Sequence, residues 1–285
     1  AQGYVWIACS RAAFESGLPS LQSALERLTG RALVDLHVSD LLNAQLPSHF
    51  DYSSHYDLMV FRRLAHSDGL SPPPDAPVRG KRPGPVVLRR IDTSPVGFAV
   101  FDRVLLSVHP SDCGVRDAYA ARLMASASSI TEPDARSIGA RGIPANPADM
   151  MLRIMSQMVD GYLALRRELS RQLDHWQAEL LNPRTRFSRW DALLQARVAL
   201  HQLESLCDDQ RTAVQAWTES LNSWGPNGPL TDQALELLKI RSRDVLEHVE
   251  RVVQHVRRLE HNTETAVQMH FNVQGNRTND IMRTL

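Results

Sequence analysis

The sequence predicts an α/β fold of the α+β kind: a mixed β-sheet sandwiched by helices, then two long antiparallel helices, then a long stalk helix. Three observations predict it. Short β-type apolar runs are interleaved with short helical ones over the first ~125 residues. Two long segments of helical spacing follow, from Asn146 to Leu181 and from Ser188 to Ser223, parted by Asn182-Pro183. The last segment has no proline after Thr231, and its apolar residues recur in alternate steps of three and four.

In the first region, 1–127, Val5–Cys9 is a compact apolar run with the character of a buried strand. Leu18 to Leu28 has helical spacing, with Pro19 in its first turn, where a missing N–H costs nothing. Ala32–Leu36 is a second short apolar run, and Ser39 or Asp40 is placed to cap the turn of helix after it. Tyr56–Leu64, Val86–Ile91, Val96–Phe101 and Val104–His109 are predicted strands, bounded by Pro, Gly and Asp. Asp117 to Ala127 returns to helix. The order strand, helix, strand (the Ala32–Leu36 run), then several consecutive strands and a helix implies a mixed sheet flanked by helices. The prolines of Ser71-Pro-Pro-Pro-Asp-Ala-Pro and Gly80-Lys-Arg-Pro-Gly-Pro remove backbone donors and mark an exposed loop.

Residues 128–145 form a linker of low hydrophobicity. Asn146 with Pro147 then starts a helix, an N-cap followed by proline at the first helical position. The helix pair fills 146–226 and ends in the breaker cluster Trp224-Gly-Pro-Asn-Gly-Pro; its short connection makes the two helices antiparallel. The stalk occupies 230–285, capped by Thr231 or Asp232, and about 54 helical residues at ~1.5 Å each would span roughly 80 Å. Its stripe is Leu235, Leu238, Ser242, Val245, Val249, Val252, Val256, Leu259, Thr263, Ala266, His270 and Val273. A 3.5-residue period is a coiled-coil seam, so this helix packs along its length against other helices. A second, polar stripe emerges late, at Gln268, Asn272, Gly275 and Asn279, with Met282 next. A polar seam beside an apolar one suits a bundle around a watery axis. Arg283-Thr284-Leu285 offers no cap, so the gene is expected to continue.

Composition narrows the function. The chain's 285 residues can bury a substantial core, and 43% hydrophobic with 22% charged residues is ordinary for a globular protein. Lys+Arg and Asp+Glu both number 32, a balance that argues against general nucleic-acid binding but not against a small cation, for which one or two carboxylates suffice. Cys9, Cys113 and Cys207 are sparse and unpaired by spacing, as for reduced thiols. No window approaches the ~20 apolar residues of a membrane helix, and no signal core is present, so the chain as given reads as soluble. Phosphate-binding Gly loop, Gly-x-Ser-x-Gly elbow and His-Glu-x-x-His are all missing, which argues against an enzyme.

At its last helix the sequence resembles a known family. Asn276-Arg-Thr-Asn-Asp-Ile-Met-Arg-Thr-Leu285 is similar to the segment leading into the first membrane helix of CorA-type magnesium/cobalt transporters. Ser242-Arg-Asp-Val-Leu-Glu-His248 resembles the family's stalk, and Met151 to Leu181, with Val159-Asp160-Gly161-Tyr162, its first long antiparallel helix. Ser39-Asp-Leu-Leu-Asn43 resembles its short acidic helix, and Phe98 to His109 fits its hairpin. The family's Gly-Met-Asn selectivity motif and its terminal basic cluster fall beyond this chain.

The resemblance implies the N-terminal cytoplasmic domain of a homopentameric divalent-cation channel at the bacterial inner membrane, joined to the bilayer by C-terminal membrane helices. Mg²⁺ would be both sensed and transported, with Co²⁺ or Ni²⁺ as surrogates, and no organic cofactor is implied. Asn279, Met282 and Leu285 would line the pore's cytoplasmic mouth: the Asn279 amide oxygen meets a hydrated cation, while Met282 and Leu285 form a constriction that gates by dewetting. A regulatory metal site between subunits would use Asp40 and Asp244, whose carboxylates repel when the cation leaves, loosening the bundle. Without the resemblance, Asp40 reads as a helix cap and Asp244 as a solvated charge beside Arg243. At a second family site Ser39 and Ser156 stand in place of acidic residues, which weakens it. Two other readings stand beside this one. The first is the zinc-transporting (ZntB-like) branch of the same superfamily, although His248, His255, His261 and His270 lack the i, i+4 pairing of a helical zinc site. The second is a soluble coiled-coil scaffold.

Overall fold

A computed structural model describes residues 3–65, 91–111, 113–128, 143–182, 190–224 and 230–284. The predicted strand Val86–Ile91 (all but Ile91, which is not in a strand), the proline-rich loop and most of the linker lie outside them. The chain divides into two compact units: the first contains Ala1–His66, Asp92–Gly161 and Asp208–Glu250, and the second is built around Tyr162–Cys207 and Arg251–Leu285.

The first unit holds a mixed sheet, as predicted, and it has five strands. β1 (Val5–Ser10), β2 (His49–Tyr52), β3 (Asp57–Leu64), β4 (Thr93–Val100) and β5 (Val104–His109) lie in the order β1-β5-β4-β3-β2. β1 and β5 pair in parallel, and the other neighbours are antiparallel. All six residues of β5 are buried, as both faces of an interior strand require. Register sorts the side chains by face. Ile7, Leu106, Ala99, Leu58 and Asp51 form one row across the five strands; Ala8, Ser107, Phe98, Met59 and Phe50 form the next, on the opposite face.

Four short helices accompany the sheet: α1 (Arg11–Ser16), α2 (Leu18–Thr29), α3 (Asp35–Leu42) and α4 (Gly114–Ser128). Phe14, Leu25, Leu33, Val38 and Leu41 from the α1–α3 region bury one face together with Leu58, Ala99, Leu106 and Val108. α2 ends on Gly30 at φ 76°, the left-handed conformation that closes helices at little cost in glycine. On the opposite face Phe50 meets Trp217 edge-on, with ring centroids 5.8 Å apart. A polar chain crosses this side too: Trp6 Nε1 donates to Ser107 Oγ (2.8 Å), which pairs with His109 Nε2 (2.7 Å), while Cys113 Sγ lies 3.3 Å from His109 Nδ1. Burial, helped by the Arg116 and Arg63 charges, pushes the His109 pKa down to about 3 and keeps the ring neutral.

Local expectations needed four corrections. The Ala32–Leu36 run is no strand: it leads into α3, its last two residues being helical, because Leu33 packs into the core with Val38 and Leu41. Ser39 and Asp40 do not cap a helix; they lie inside α3, which starts at Asp35 after Val34, because packing of Val38 and Leu41 into the core extends the helix backwards. The alternative of Asp40 as a helix cap therefore falls. Strand β2 was not anticipated; its four residues are too few to show a period. α1 was likewise unanticipated, a helix of six residues whose start is fixed by Ser10 Oγ accepting the Ala13 N–H at 3.2 Å.

Three long helices complete the chain: α5 (Pro147–Leu181), α6 (Trp190–Ser223) and α7 (Asp232–Thr284). Asn146 caps α5 as expected, its Oδ1 accepting the Asp149 N–H at 2.8 Å, and Asp149 Oδ2 returns the bond to the Ala145 N–H at 3.0 Å. Thr231 caps α7, its Oγ1 accepting the Ala234 N–H. Along α7 the predicted seam is buried from Leu238 through Ser242, Val245, Val249, Val252, Val256, Leu259 and Thr263 to Ala266. Gln268, Asn272 and Gly275 of the polar stripe are exposed. In the second unit Glu204 meets Arg257 and Trp190 meets His270, so residue numbers fall along α6 as they rise along α7 and these helices are antiparallel. Ser170 with His255 and Leu180 with His270 show α5 parallel to α7, hence antiparallel to α6, as predicted. No helix among the described residues is long and apolar enough to cross a membrane.

Candidate functional site

Asp40 is placed by how α3 seats on the sheet. Leu41, its neighbour, packs over Gly97 of β4 so closely that a Cβ there would lie 2.2 Å from Leu41 Cδ2. His37, one turn earlier, is buried: its Nδ1 lies 2.7 Å from Tyr56 Oη and its Nε2 3.2 Å from Asp51 Oδ2. Backbone and His37 hydrogen bonds outweigh the desolvation of Asp51 and hold its carboxyl below the usual range. Asp40 Oδ2 faces His49 Nε2 at 3.8 Å, with its side chain 20% exposed.

Asp244 stands on α7 with its side chain 58% exposed, 3.8 Å from His248 Nε2 one turn on. It borders a cleft of ≈ 300 Å³ whose other polar walls include Arg153, Ser156, Gln157, Asp160 and Arg241. Helical spacing explains the convergence: Ser156 and Asp160 are i, i+4 on α5, and Arg241 and Asp244 are i, i+3 on α7. Gln157 Oε1 is buried and accepts no hydrogen bond from the described residues. The cleft thus presents two carboxylates and neutral oxygens beside three arginines, Arg122, Arg153 and Arg241, of which the last two are paired with Asp149. A hydrated Mg²⁺ needs only one or two carboxylates in its outer reach, so this donor set is compatible with one.

Within one chain, then, Asp244 is brought together with Asp160 and Ser156, and Asp40 with His49; the two predicted metal residues have separate surroundings. Asp160 was legible as the i+4 partner of Ser156, a signal not used for the metal site. Asn279 and Met282 lie on the helical backbone of α7, but their side chains, and Leu285 altogether, are outside the described residues. Two of the four stalk histidines have partners on α5. His255 Nε2 lies 2.6 Å from Ser170 Oγ, and burial lowers its basicity; His270 Nδ1 reaches the Leu180 carbonyl at 2.7 Å and its ring stacks edge-on against Trp190.

Solved structures share this fold. The soluble domain of CorA from Methanocaldococcus jannaschii matches with a TM-score of 0.57 and 14% identity, over 92% of this chain and 86% of that one. The cytoplasmic domain of ZntB from Vibrio parahaemolyticus RIMD 2210633 matches at 0.60 and 12%, over 97% and 90%. The complete CorA magnesium transporter from M. jannaschii matches at 0.60 and 11%, over 98% and 73%. Curated protein sequences give no match. The sequence profile described as "CorA-like Mg2+ transporter protein" matches residues 20–285. On that match, spanning nearly the whole sequence and agreeing with the sheet, the antiparallel helices and the long stalk, the chain belongs to the family of CorA-like Mg²⁺ transporter proteins.

Proposed function

We propose that this chain is the cytoplasmic regulatory domain of a homopentameric Mg²⁺ channel and senses intracellular Mg²⁺ between subunits. The observation that carries the reading is the exposed Asp244 on the stalk, beside Asp160 in a cleft walled by two long helices, in a chain of a magnesium-transporter family. Asp244 of one copy and Asp40 of the next would share one hydrated cation. Loss of the ion leaves like charges facing each other, and the ring loosens. The C-terminal segment, with Asn279, Met282 and Leu285, then stands at the cytoplasmic mouth of a pore whose membrane helices hold the assembly at the bacterial inner membrane. Co²⁺ and Ni²⁺ serve as surrogates. The domain catalyses no reaction; its task is gating.

A zinc-transporting role has the same fold behind it, since the ZntB cytoplasmic domain is as similar as CorA. The bonded state of His255 and His270 favours the magnesium reading, because one ring nitrogen of each is already engaged by α5.

Uptake by vesicles holding the full-length gene product tests the proposal. Mg²⁺ entry should fall as luminal Mg²⁺ rises on the domain's side, and Asp40→Lys with Asp244→Lys should remove that inhibition. Zn²⁺ entry without Mg²⁺ entry would select the zinc branch, and inhibition unchanged in the double variant would remove these aspartates from the sensor.

A further inference from the structure

The second unit contains a histidine and two carboxylates that the magnesium reading does not use. His201 and Glu204 stand one turn apart on α6, at i, i+3, and so share a face. The antiparallel α7 brings Glu260 opposite them. One potential ligand atom from each of the three lies within 4.8 Å of the other two. His201 is exposed, and Glu204 and Glu260 are half-buried. Arg257, one turn before Glu260, pairs with Glu204 Oε1 and so orients that carboxylate. A carboxylate held through one oxygen still has the lone pairs of the other to offer.

We propose that His201, Glu204 and Glu260 bind a late first-row divalent cation (Zn²⁺, Co²⁺ or Ni²⁺), with water completing its coordination. The donor set decides the class of metal. Mg²⁺ and Ca²⁺ are hard ions that take all-oxygen shells, whereas one imidazole with two carboxylates suits the borderline ions. The geometry is within reach of a bound ion. Metal–ligand distances of ~2.0–2.2 Å set ligand atoms ~3.4 Å apart in a tetrahedron, so the three groups need to close by at most about 1.4 Å, a shift on the scale of side-chain rotation. Burial and then the Glu204 charge push the Glu260 carboxyl above the ordinary carboxylate range, against partial relief from His201, Arg197 and Arg257. A dication would remove that repulsion and tie α6 to α7. The site is independent of Asp40 and Asp244, which lie in the other unit.

Co²⁺ titrated into the 285-residue chain, read by its d–d absorption, tests this. The expected result is an intensified visible band saturating at one equivalent, displaced by one equivalent of Zn²⁺ but not by millimolar Mg²⁺. His201→Ala and Glu260→Gln should each weaken Co²⁺ binding at least tenfold with far-UV circular dichroism unchanged, and the Asp40→Lys/Asp244→Lys protein should keep the band. A spectrum no stronger than that of aqueous Co²⁺, or equal affinity in His201→Ala, Glu260→Gln and the parent, would overturn the proposal. So would loss of the band in the aspartate variant alone, which would place the ion at the other site.

Discussion

Arg241 of α7 forms an ion pair through Nε with Asp149 Oδ1 in the first turn of α5, and the Asp149 side chain is only 1% exposed. The same oxygen accepts from Arg153 Nε at 3.3 Å, while Oδ2 accepts the Ala145 N–H. One carboxylate thus closes the α5 capping box and fastens the stalk beside the cleft that holds Asp244. Asp149→Ala removes a buried anion and leaves two arginines facing an apolar gap. It should cost about 3 kcal/mol of unfolding free energy, measured by urea denaturation, with Asp149→Asn intermediate because it can retain the cap.

Ser242 occupies a seam position, and its hydroxyl accepts the Trp217 indole N–H at 3.0 Å with both residues fully buried. Ser242→Ala should destabilise the chain by about 1–2 kcal/mol, because it orphans a buried donor. In a Trp217→Phe background, which has no indole N–H, the same substitution should cost markedly less.

Gly97 has no room for a methyl group beneath Leu41. Gly97→Ala should therefore cost about 1–3 kcal/mol by overpacking, and it should displace the helix that carries Asp40. Adding Leu41→Ala should make the pair cost less than the sum of the two single changes, a coupling that thermal denaturation of the four proteins would measure.

The stalk was the most legible part of this fold. A 3.5-residue period repeated from Leu238 to Ala266 survives polar interruptions, and the structure explains two of them: Ser242 bonds Trp217, and Thr263 returns its hydroxyl to the Leu259 carbonyl at 2.7 Å. Sheet class was legible from the runs at Val5, Tyr56, Val96 and Val104. Its order was not, because pairing of β1 with β5 joins segments almost a hundred residues apart and leaves no local trace. Asp40 was identified by resemblance, but its neighbour His49 comes from β2, a strand too short to announce itself. The His201-x-x-Glu204 spacing was visible in the sequence; Glu260 became its partner only once the antiparallel register of α6 and α7 was known.

Asp57, at the start of β3, borders a cavity of ≈ 650 Å³, and burial alone raises its pKa to about 6. A carboxyl whose folded pKa lies above its unfolded value favours the folded state most when protonated. The chain should therefore lose stability as pH rises from about 4 through 6, over and above other titrations. Asp57→Asn should abolish that portion of the decline and leave the protein more stable than the parent at pH 7.5, as read by chemical denaturation across the range.

The central claim is that Asp40 and Asp244 answer to Mg²⁺. Limited digestion of this chain by chymotrypsin, whose specificity the lysine substitutions leave untouched, with and without Mg²⁺ in the millimolar range, tests it most directly. Protection should increase with Mg²⁺ in the parent and be blunted in the Asp40→Lys/Asp244→Lys protein, whose digestion should resemble that of the ion-free parent. Equal Mg²⁺-dependent protection in the two proteins would contradict the account.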